Sequence, residues 1–320
     1  MAIKINYPHL FSTLRVDRSS GINAPHKPIL LLSILQAVKS GLISSAFVYI
    51  TPELVALFKS NWSLLVTTEH QCRMSYPFFH LKSSKFWKLH PQAGYEKAIL
   101  ISSKSPSLNQ LLQMIVCAEM NADLFELMKN PDGNAMLTEV LLQTYFPNAR
   151  NTVNADVQIP DLFSHYEKDI IAAEPAVYVQ HIKQLIAEKD EEELFIRGGA
   201  FKREIPKIYN YTCCISGLRI STSRDISMID ACHIRPFSQS YDDTISNGIA
   251  LSPLLHRAFD RGLITINSDY RVLVSSHFSE NDVKHSLRQF HGERIRLPDS
   301  RSYLPSIDNL LWHAETVFLT

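Results

Sequence analysis

Apolar and polar residues follow one another along the first half of the chain in a pattern that predicts mostly helices. The apolar run over 29–38 is too long for a typical strand and predicts a largely buried helix. A second helix is predicted over 51–66, where Thr51, Pro52 and Glu53 supply an N-cap, a first-turn proline and an early acid. Further helices are predicted over 108–117, 122–129 and 136–146, and strands or loops over the aromatic-rich segment 73–87.

The pattern weakens in the middle of the chain and changes character after it. Prolines and asparagines interrupt residues 147–165, which predicts a domain boundary there. A polar helix is predicted over 175–195, and its charge run 188–193 is typical of a solvent-exposed face. In the rear region, the pattern predicts a short basic helix over 201–209 and strands over 226–229 and 249–251. A short helix over 253–259 and a hairpin over 263–274 are predicted to follow.

These elements predict an α+β protein with two domains. Residues 1–150 are predicted as a mostly helical front domain, 151–195 as an acidic helical linker, and 196–320 as a rear domain of small pieces. With 45% hydrophobic and 20% charged residues, the 320-residue chain is not a disordered protein. No apolar run approaches the ~20 residues of a membrane span and no secretory leader opens the chain. We therefore expect a soluble, cytoplasmic protein without a membrane partner.

The five cysteines predict reduced, buried thiols and no disulfide framework. Their number is odd, and the chain shows no sign of export. Cys213 and Cys214 are adjacent and so do not form a C-x-x-C pair. No structural zinc is therefore expected.

Charge is distributed unevenly, although 32 basic and 32 acidic residues give a net charge of zero. Residues 1–118 carry a balance of +8, residues 119–195 carry −10, and residues 196–320 carry +2. Electrostatic attraction depends on the local field of a surface, so a neutral total does not exclude a nucleic-acid partner. The basic front domain is where we expect such a partner to bind.

The stretch from Asp230 to Asp260 brings together residue types suited to phosphodiester hydrolysis. That reaction needs a base to activate water and a cation to neutralise charge on the phosphate and the leaving oxygen. His233, ending a predicted strand, has the side chain of a base near neutral pH. His256 and Asp260 lie four residues apart on one helix face, where they could bind a divalent metal, and Asp230 adds a hard carboxylate. Asn247 can hold the intervening loop by side-chain hydrogen bonds.

These residues resemble those of the HNH, or ββα-metal, nucleases. The string Cys214-Ile-Ser-Gly217, Asp230-Ala-Cys-His233, Asn247-Gly-Ile-Ala and His256-Arg-Ala-Phe-Asp is similar to the restriction-type branch, over roughly residues 196–320. The resemblance implies that His233 is the general base, Asn247 the brace of the loop and His256 a metal ligand. It also implies a divalent cation, Mg²⁺ or Mn²⁺.

One position departs from that family. Many HNH nucleases place a metal-binding Asp or His directly before the base, where this chain has Cys232. We expect Asp230, two residues earlier on the same strand face, to be the compensating metal ligand. Asp260 has two interpretations, as a metal ligand or as an ion-pair partner of Arg257 or Arg261.

A second group of candidate residues lies in the basic front region. Two prolines flank His26 and Lys27 just before the long apolar helix, and a helix start favours an anion. Fifty residues after His26, Tyr76 and Pro77 offer apolar surface close to such a charge. Taken alone, these residues also fit a helix entry and the edge of a core.

Together they resemble the sulfur-binding domain of phosphorothioate-dependent, McrA-like HNH restriction endonucleases, in which an HNH domain follows the reader. The resemblance implies an apolar pocket for a phosphate sulfur, with His26 and Lys27 as its basic pair and Tyr76 and Pro77 as its wall. His80 departs from the family, which tends to place a small residue there. Further candidates for contacts with backbone phosphates are Arg15, Arg18 and Arg73.

The sequence thus predicts a modification-dependent endonuclease that binds phosphorothioate-modified double-stranded DNA and cuts it with one divalent cation. Two alternatives stay open. The same nuclease could read methylated cytosine or unmodified sequence, or the chain could be a catalytically inactive DNA-binding or regulatory protein on an HNH scaffold. A break of both strands needs two nicks, which a homodimer would supply.

Overall fold

The computed structural model describes residues 5–17, 23–102, 104–149, 159–220, 227–281 and 286–320, with the backbone alone at 159–161. The chain divides into two compact units. Unit 1 contains residues 1–164 and 191–196, and unit 2 contains residues 165–190 and 197–320.

Unit 1 is mostly helical, with one small sheet. Its helices are α1 (Tyr7–Ser12), α2 (His26–Lys39), α3 (Pro52–Leu65), α4 (Ser75–His80), α5 (Glu96–Ile101), α6 (Leu108–Met114), α7 (Ala122–Lys129) and α8 (Pro131–Tyr145). Its strands are β1 (Phe47–Val48), β2 (Trp87–Pro91) and β3 (Ile115–Met120). Both pairings are antiparallel and β3 is the central strand.

Helix α2 forms the centre of unit 1. Every residue from Lys27 to Leu35 is buried, and α2 packs against α3, α4, α7 and α8. A helix that is apolar on all sides is stable only when neighbours surround it. Its one polar core position, Ser33, accepts a hydrogen bond from the Asn61 amide of α3 at 3.0 Å. The buried body of α2 therefore fixes the position of its first residues, His26 and Lys27.

Two further helices, α9 (Ile159–Ala172) and α11 (Glu191–Ile208), contribute residues to both units. Unit 2 adds the helices α10 (Pro175–Glu188), α12 (Phe237–Ser240), α13 (Pro253–Asp260) and α14 (Ile307–Thr316). Its strands are β4 (Asp230–His233), β5 (Gly248–Leu251), β6 (Ile264–Ile266) and β7 (Val272–Val274), which pair antiparallel as β4–β5 and β6–β7.

The β4–β5 pair and α13 position the chemistry of unit 2. The register sets Asp230 opposite Leu251 and His233 opposite Gly248, and α13 follows β5 after one residue. Leu255, Ala258 and Phe259 of α13 are buried, and the helix packs against β4, β5 and β6. Because α13 is anchored by that apolar face, the polar residues along its edge face β4.

Most of the predicted elements are confirmed, as is the α+β class. The apolar run 29–38 lies within α2, and the segment 51–66 contains α3, whose Leu54 N–H donates to the Thr51 hydroxyl at 3.2 Å. The predicted helices near 122–129 and 253–259 and the rear hairpin are also present.

Three predictions were wrong. Segment 73–87 contains helix α4, because Pro77 lies in its first turn, where a proline costs no hydrogen bond. The predicted helix 108–117 ends at Met114, and the chain continues as β3. In that strand β-branched Ile115 lies opposite Pro91 of β2, and Ala118 and Glu119 pair with both β1 and β2. The helix predicted over 175–195 is broken at Lys189, which adopts a left-handed conformation with φ of 58°.

The charge run 188–193 was predicted as a solvated face, which holds for Glu188 and Lys189 but is wrong for Glu192. Glu192 is 1% exposed, and its carboxylate accepts a hydrogen bond from the Met74 N–H at 3.0 Å. Its other oxygen lies 3.4 Å from the Arg73 guanidinium. A buried carboxylate is tolerated here because it is hydrogen-bonded and paired.

Within the described ranges, no helix combines the length and the hydropathy that a membrane crossing requires. Residues 165–190, part of the predicted linker, cluster with unit 2, whereas residues 191–196 cluster with unit 1.

Candidate functional site

His233 is held at the end of β4 by two different contacts. Its Nε2 lies 2.8 Å from the Oδ1 of Asp243, a side chain that is 3% exposed. Its ring stacks on Phe201 of α11, with centroids 3.9 Å apart and planes 7° from parallel. With Nε2–H donating to the carboxylate, Nδ1 carries the lone pair and can accept a proton. The predicted base thus has a fixed ring and a defined tautomer.

Gly248, opposite His233, permits this packing. An added Cβ would collide with the side chains of Ile205 and Phe201, so glycine lets α11 approach β5 closely. The same contact supports the Phe201 ring against which His233 stacks.

Asn247 is fully buried and ties the loop together. Its Oδ1 accepts from the Arg235 N–H at 2.9 Å, and its Nδ2 donates to the carbonyl oxygens of Arg235 and Asp242, also at 2.9 Å. These bonds join the residues after His233 to the residue before Asp243. Asn247 therefore holds the loop that connects His233 to Asp243.

His256 lies between two carboxylates. Its Nδ1 is 3.3 Å from Asp230 Oδ2, and its Nε2 is 3.5 Å from Asp260 Oδ2. Three potential ligand atoms lie within 4.8 Å of one another, one each from Cys232, His256 and Asp260. Asp260 thus faces His256 and Cys232, as the metal-ligand interpretation requires. Asp230 lies on the other side of the imidazole.

Cys232 is fully buried at the inner side of this group, and its Sγ is 4.0 Å from Asp260 Oδ1. Burial, with smaller contributions from Asp260, Cys214 and Asp230, raises the pKa of the Cys232 thiol well above its usual range. The thiol is therefore neutral unless a cation compensates its charge.

His313 of α14 supports the end of α13. Its Nε2–H donates to the Phe259 carbonyl at 3.1 Å, its Nδ1 accepts from the Thr265 hydroxyl at 2.8 Å, and its ring stacks on Phe259 at 3.6 Å. Burial lowers the pKa of His313 to about 4, against the opposing effect of the Phe259 bond. A cleft of about 300 Å³ is bordered by His233, Phe237, His256, Asp260 and His313.

Unit 1 contains a larger cavity, of about 780 Å³, which gathers most of the predicted reader residues. The predicted residues that line it are Arg15, His26, Lys27, Tyr76, Pro77 and His80. The prediction did not include His70, Gln71 or Ser105, which also line the cavity. They lie in segments of mixed polarity with no periodic pattern that would have marked them.

His26 is an uncharged member of this cavity. Its Nε2–H donates to the Gln71 carbonyl at 2.9 Å, and its ring lies 4.7 Å from Trp62 and 5.8 Å from Tyr76. Burial lowers the pKa of His26 to about 4, with a smaller lowering from His70 and an opposing effect of the Gln71 bond. At neutral pH the ring therefore contributes polar and aromatic surface and no positive charge.

Lys27 supplies a buried cation to the same cavity. It is 9% exposed, and its Nζ donates to the Arg15 carbonyl at 2.8 Å. Burial and, to a smaller extent, Arg15 lower the pKa of Lys27. His80, across the cavity, bonds to the Ser105 hydroxyl through Nε2 at 2.8 Å. Burial and the nearby charges of Lys27 and Lys82 lower the pKa of His80.

The remaining two predicted arginines lie elsewhere. Arg73 is not among the residues that border the cavity, and its guanidinium pairs with Glu192 at 3.4 Å. Arg18 lies outside the described residues.

Comparison with known families identifies both units. Residues 213–267 match a family model described as HNH endonuclease, and residues 8–159 match one described as ScoMcrA-like, DNA sulfur-binding domain. The chain therefore contains an HNH endonuclease domain and a ScoMcrA-like DNA sulfur-binding domain. The first match contains all five residues predicted for the nuclease site, and the second contains all eight predicted for the reader.

The similarity to individual proteins is weaker. A solved structure described as "Modification dependent TagI restriction endonuclease" is 20% identical, with a TM-score of 0.29. The alignment covers 37% of this chain and 37% of that chain, so only about a third of the other protein is spanned. No curated protein matches the sequence.

Proposed function

We propose that this endonuclease binds phosphorothioate-modified double-stranded DNA in the unit 1 cavity and hydrolyses phosphodiester bonds at the unit 2 site with one divalent cation. The observation that carries the proposal is the composition of the cavity: a buried lysine beside neutral aromatic and apolar surface, with Arg15 and Asp17 also at the border.

Lys27 and the cavity wall suit a sulfur-bearing phosphate better than an ordinary one. Sulfur is larger and less hydrated than oxygen, so contact with Tyr76 and Pro77 costs a thiophosphate less desolvation than it costs a phosphate oxygen. Lys27 Nζ provides the charge that any phosphodiester needs. Because His26 is neutral, it adds ring surface without strengthening the attraction for ordinary phosphates.

His80 distinguishes this cavity from the family pattern. Its bond to Ser105 at 2.8 Å holds the imidazole at the cavity border, where the family tends to place a small residue. We expect the ring to limit the size of the group that enters, so His80→Ala should weaken the preference for a single modified phosphate.

The cleavage step follows from the contacts of His233. Nδ1 of His233 takes a proton from the attacking water, while Nε2–H stays bonded to Asp243, whose carboxylate stabilises the charged ring. Attack in line on phosphorus then expels the opposite oxygen. Asn247 keeps the base and Asp243 in register through the loop bonds.

The donor set beside the base fits a divalent cation. Cys232, His256 and Asp260 offer one ligand atom each within 4.8 Å, and the exposed side of Asp260 leaves room for further ligands. A cation bound there would neutralise charge on the phosphate and the leaving oxygen. Asp230 accepts a hydrogen bond from His256 Nδ1, which orients the imidazole.

The test uses four duplexes of one sequence: unmodified, methylated at cytosine, and carrying one phosphorothioate in either diastereomer. The expected result is that one diastereomer binds roughly tenfold or more tightly than the unmodified duplex and is cut when a divalent cation is added. Equal affinity for all four duplexes would contradict phosphorothioate recognition. Tighter binding of the methylated duplex would favour the alternative mark, and binding without metal-dependent cutting would favour an inactive DNA-binding protein.

A further inference from the structure

Cys232 occupies the position from which β4 reaches the cation site. It precedes the base His233 directly, and its Sγ belongs to the group of three ligand atoms that lie within 4.8 Å of one another. The side chain has no exposed surface, so it closes the inner side of the group, whereas the side chain of Asp260 is 56% exposed. The group is thus closed by sulfur on one side and open to solvent on the other.

The two nitrogens of His256 show which carboxylate completes the group. Nδ1 faces Asp230 at 3.3 Å and Nε2 faces Asp260 at 3.5 Å. An imidazole that binds a metal through one nitrogen commonly donates its other N–H to a carboxylate. Asp230 therefore fits the orienting partner, and Nε2 is the nitrogen that shares a ligand group with Asp260 and Cys232.

A donor set of one sulfur, one imidazole nitrogen and one carboxylate oxygen differs chemically from an all-oxygen site. Mg²⁺ prefers hard oxygen ligands, whereas thiolate and imidazole favour zinc-like ions. Three protein ligands with an open position are also the arrangement of catalytic zinc sites.

We propose that the Cys232 thiolate is a ligand of the nuclease cation, so that the site selects a thiophilic divalent ion such as Zn²⁺ or Co²⁺ over Mg²⁺. On binding, the S–H bond breaks, the proton passes to solvent, and the sulfur lone pair forms the bond to the ion. This inference rests on the proposed metal-dependent function and replaces Asp230 with Cys232 in the ligand set.

Cobalt titration of the full-length protein tests the sulfur ligand without DNA or cleavage. The expected result is a near-ultraviolet sulfur-to-cobalt charge-transfer band that saturates at one Co²⁺ per chain. Zn²⁺ should abolish the band when added in equal amount, and a large excess of Mg²⁺ should leave it. The band should be lost in Cys232→Ser and kept in Cys117→Ala, which removes a buried thiol from β3 of unit 1.

Cys232→Asp keeps the test decisive if the serine variant fails to fold. The aspartate restores a hard ligand, so this variant should bind Co²⁺ without the charge-transfer band and should gain Mg²⁺-supported cleavage relative to the wild type. Circular dichroism checks that both variants are folded.

Failure of this inference is distinguishable from failure of the proposed function. Metal-dependent cleavage by a protein that binds Co²⁺ without the band, or that keeps the band in Cys232→Ser, overturns the sulfur ligand and leaves the nuclease intact. A protein that binds no divalent ion overturns both. A band that depends on Cys232 in a chain that never cuts DNA supports the ligand and contradicts the nuclease proposal.

Discussion

The candidate sites of the two units differ in the chemistry of their side chains. In unit 2, His233, His256 and their carboxylate partners lie within a few ångströms, and the group is suited to a cation and a proton. In unit 1, Lys27 shares a cavity with aromatic rings and with Arg15 and Asp17, and the cavity is suited to an anion with little hydration. Under the proposed function, recognition and cleavage depend on different local electrostatics, which agrees with the uneven distribution of charge along a chain of zero net charge.

Histidines show the difference most directly. His233 bonds to the Asp243 carboxylate, which fixes the orientation of its ring. His26 bonds to a backbone carbonyl, and burial lowers its pKa to about 4. The two imidazoles therefore differ in their partners, a carboxylate in unit 2 and a backbone carbonyl in unit 1.

The largest expected effect is on the base. His233→Ala should lower the cleavage rate by roughly 10²–10⁴-fold, the usual contribution of a general base, while the affinity of unit 1 for modified DNA stays unchanged. Single-turnover cleavage and gel shifts on the same duplex measure both. Loss of binding in this variant would contradict the separation of the two sites.

Acid should weaken unit 2 through His313. Its pKa is about 4 when folded and near 6.5 when unfolded, so the unfolded chain binds more protons between these values. The free energy of unfolding should therefore fall as the pH is lowered through this window, by up to about 3 kcal/mol, and the full contribution should be present above about pH 6.5.

Urea unfolding of wild type and His313→Gln at several pH values measures this contribution. The variant should have a smaller free energy of unfolding near neutral pH, and this free energy should fall less on acidification than that of the wild type. Parallel pH dependences of the two proteins would show that His313 is not the group responsible.

Asp243 should matter less than the base that it holds. Asp243→Asn keeps the size of the side chain but removes the charge that favours the protonated ring, so we expect cleavage to fall by about 10²-fold. The pH–rate profile should also shift, which a merely structural loss would not produce. An unchanged pH–rate profile with a normal cleavage rate would show that Asp243 does not position His233.

The smallest of these effects is expected at the reader. Lys27→Met keeps the length of the side chain and removes its charge, which should weaken binding of the modified duplex by about 10–100-fold. Lys39→Met, at the exposed end of the same helix, is the matched control and should bind normally. Equal losses of affinity in both variants would show that Lys27 contributes only a general electrostatic attraction for DNA.

The nuclease site was more predictable from the sequence than the reader because its residues are close together in the chain. All five predicted residues lie within the segment 230–260, which forms β4, a loop, β5 and the short helix α13. Asp243 was missed because an acid in a polar loop has no distinctive spacing. The role of Cys232 was missed because residue type suggested a buried thiol, and only its neighbours suggest a ligand.

The reader depends on longer-range packing. His26 and Lys27 meet Tyr76 and His80 because α2 and α4 pack together, although their segments are about fifty residues apart. The strand content near Ile115 and the burial of Glu192 were also decided by distant partners. Local patterns do not report such partners, so segment 73–87 was predicted as strands or loops and the acidic run as solvated.

By itself, the sequence determined the α+β class, the buried helix α2, the ββα order of the rear unit and the residue types gathered at its candidate site. Those features depend on hydrophobic periodicity, helix capping and the short sequence spacing of the site residues, all of which can be read from neighbouring residues in the chain. Only the tertiary structure decided that the His26 imidazole is neutral and that the Asp243 carboxylate bonds to His233. It also decided that the Cys232 sulfur is the third ligand atom near those of His256 and Asp260. Burial and partners set these properties, and both arise from contacts between residues that are distant in the chain or unremarkable in type.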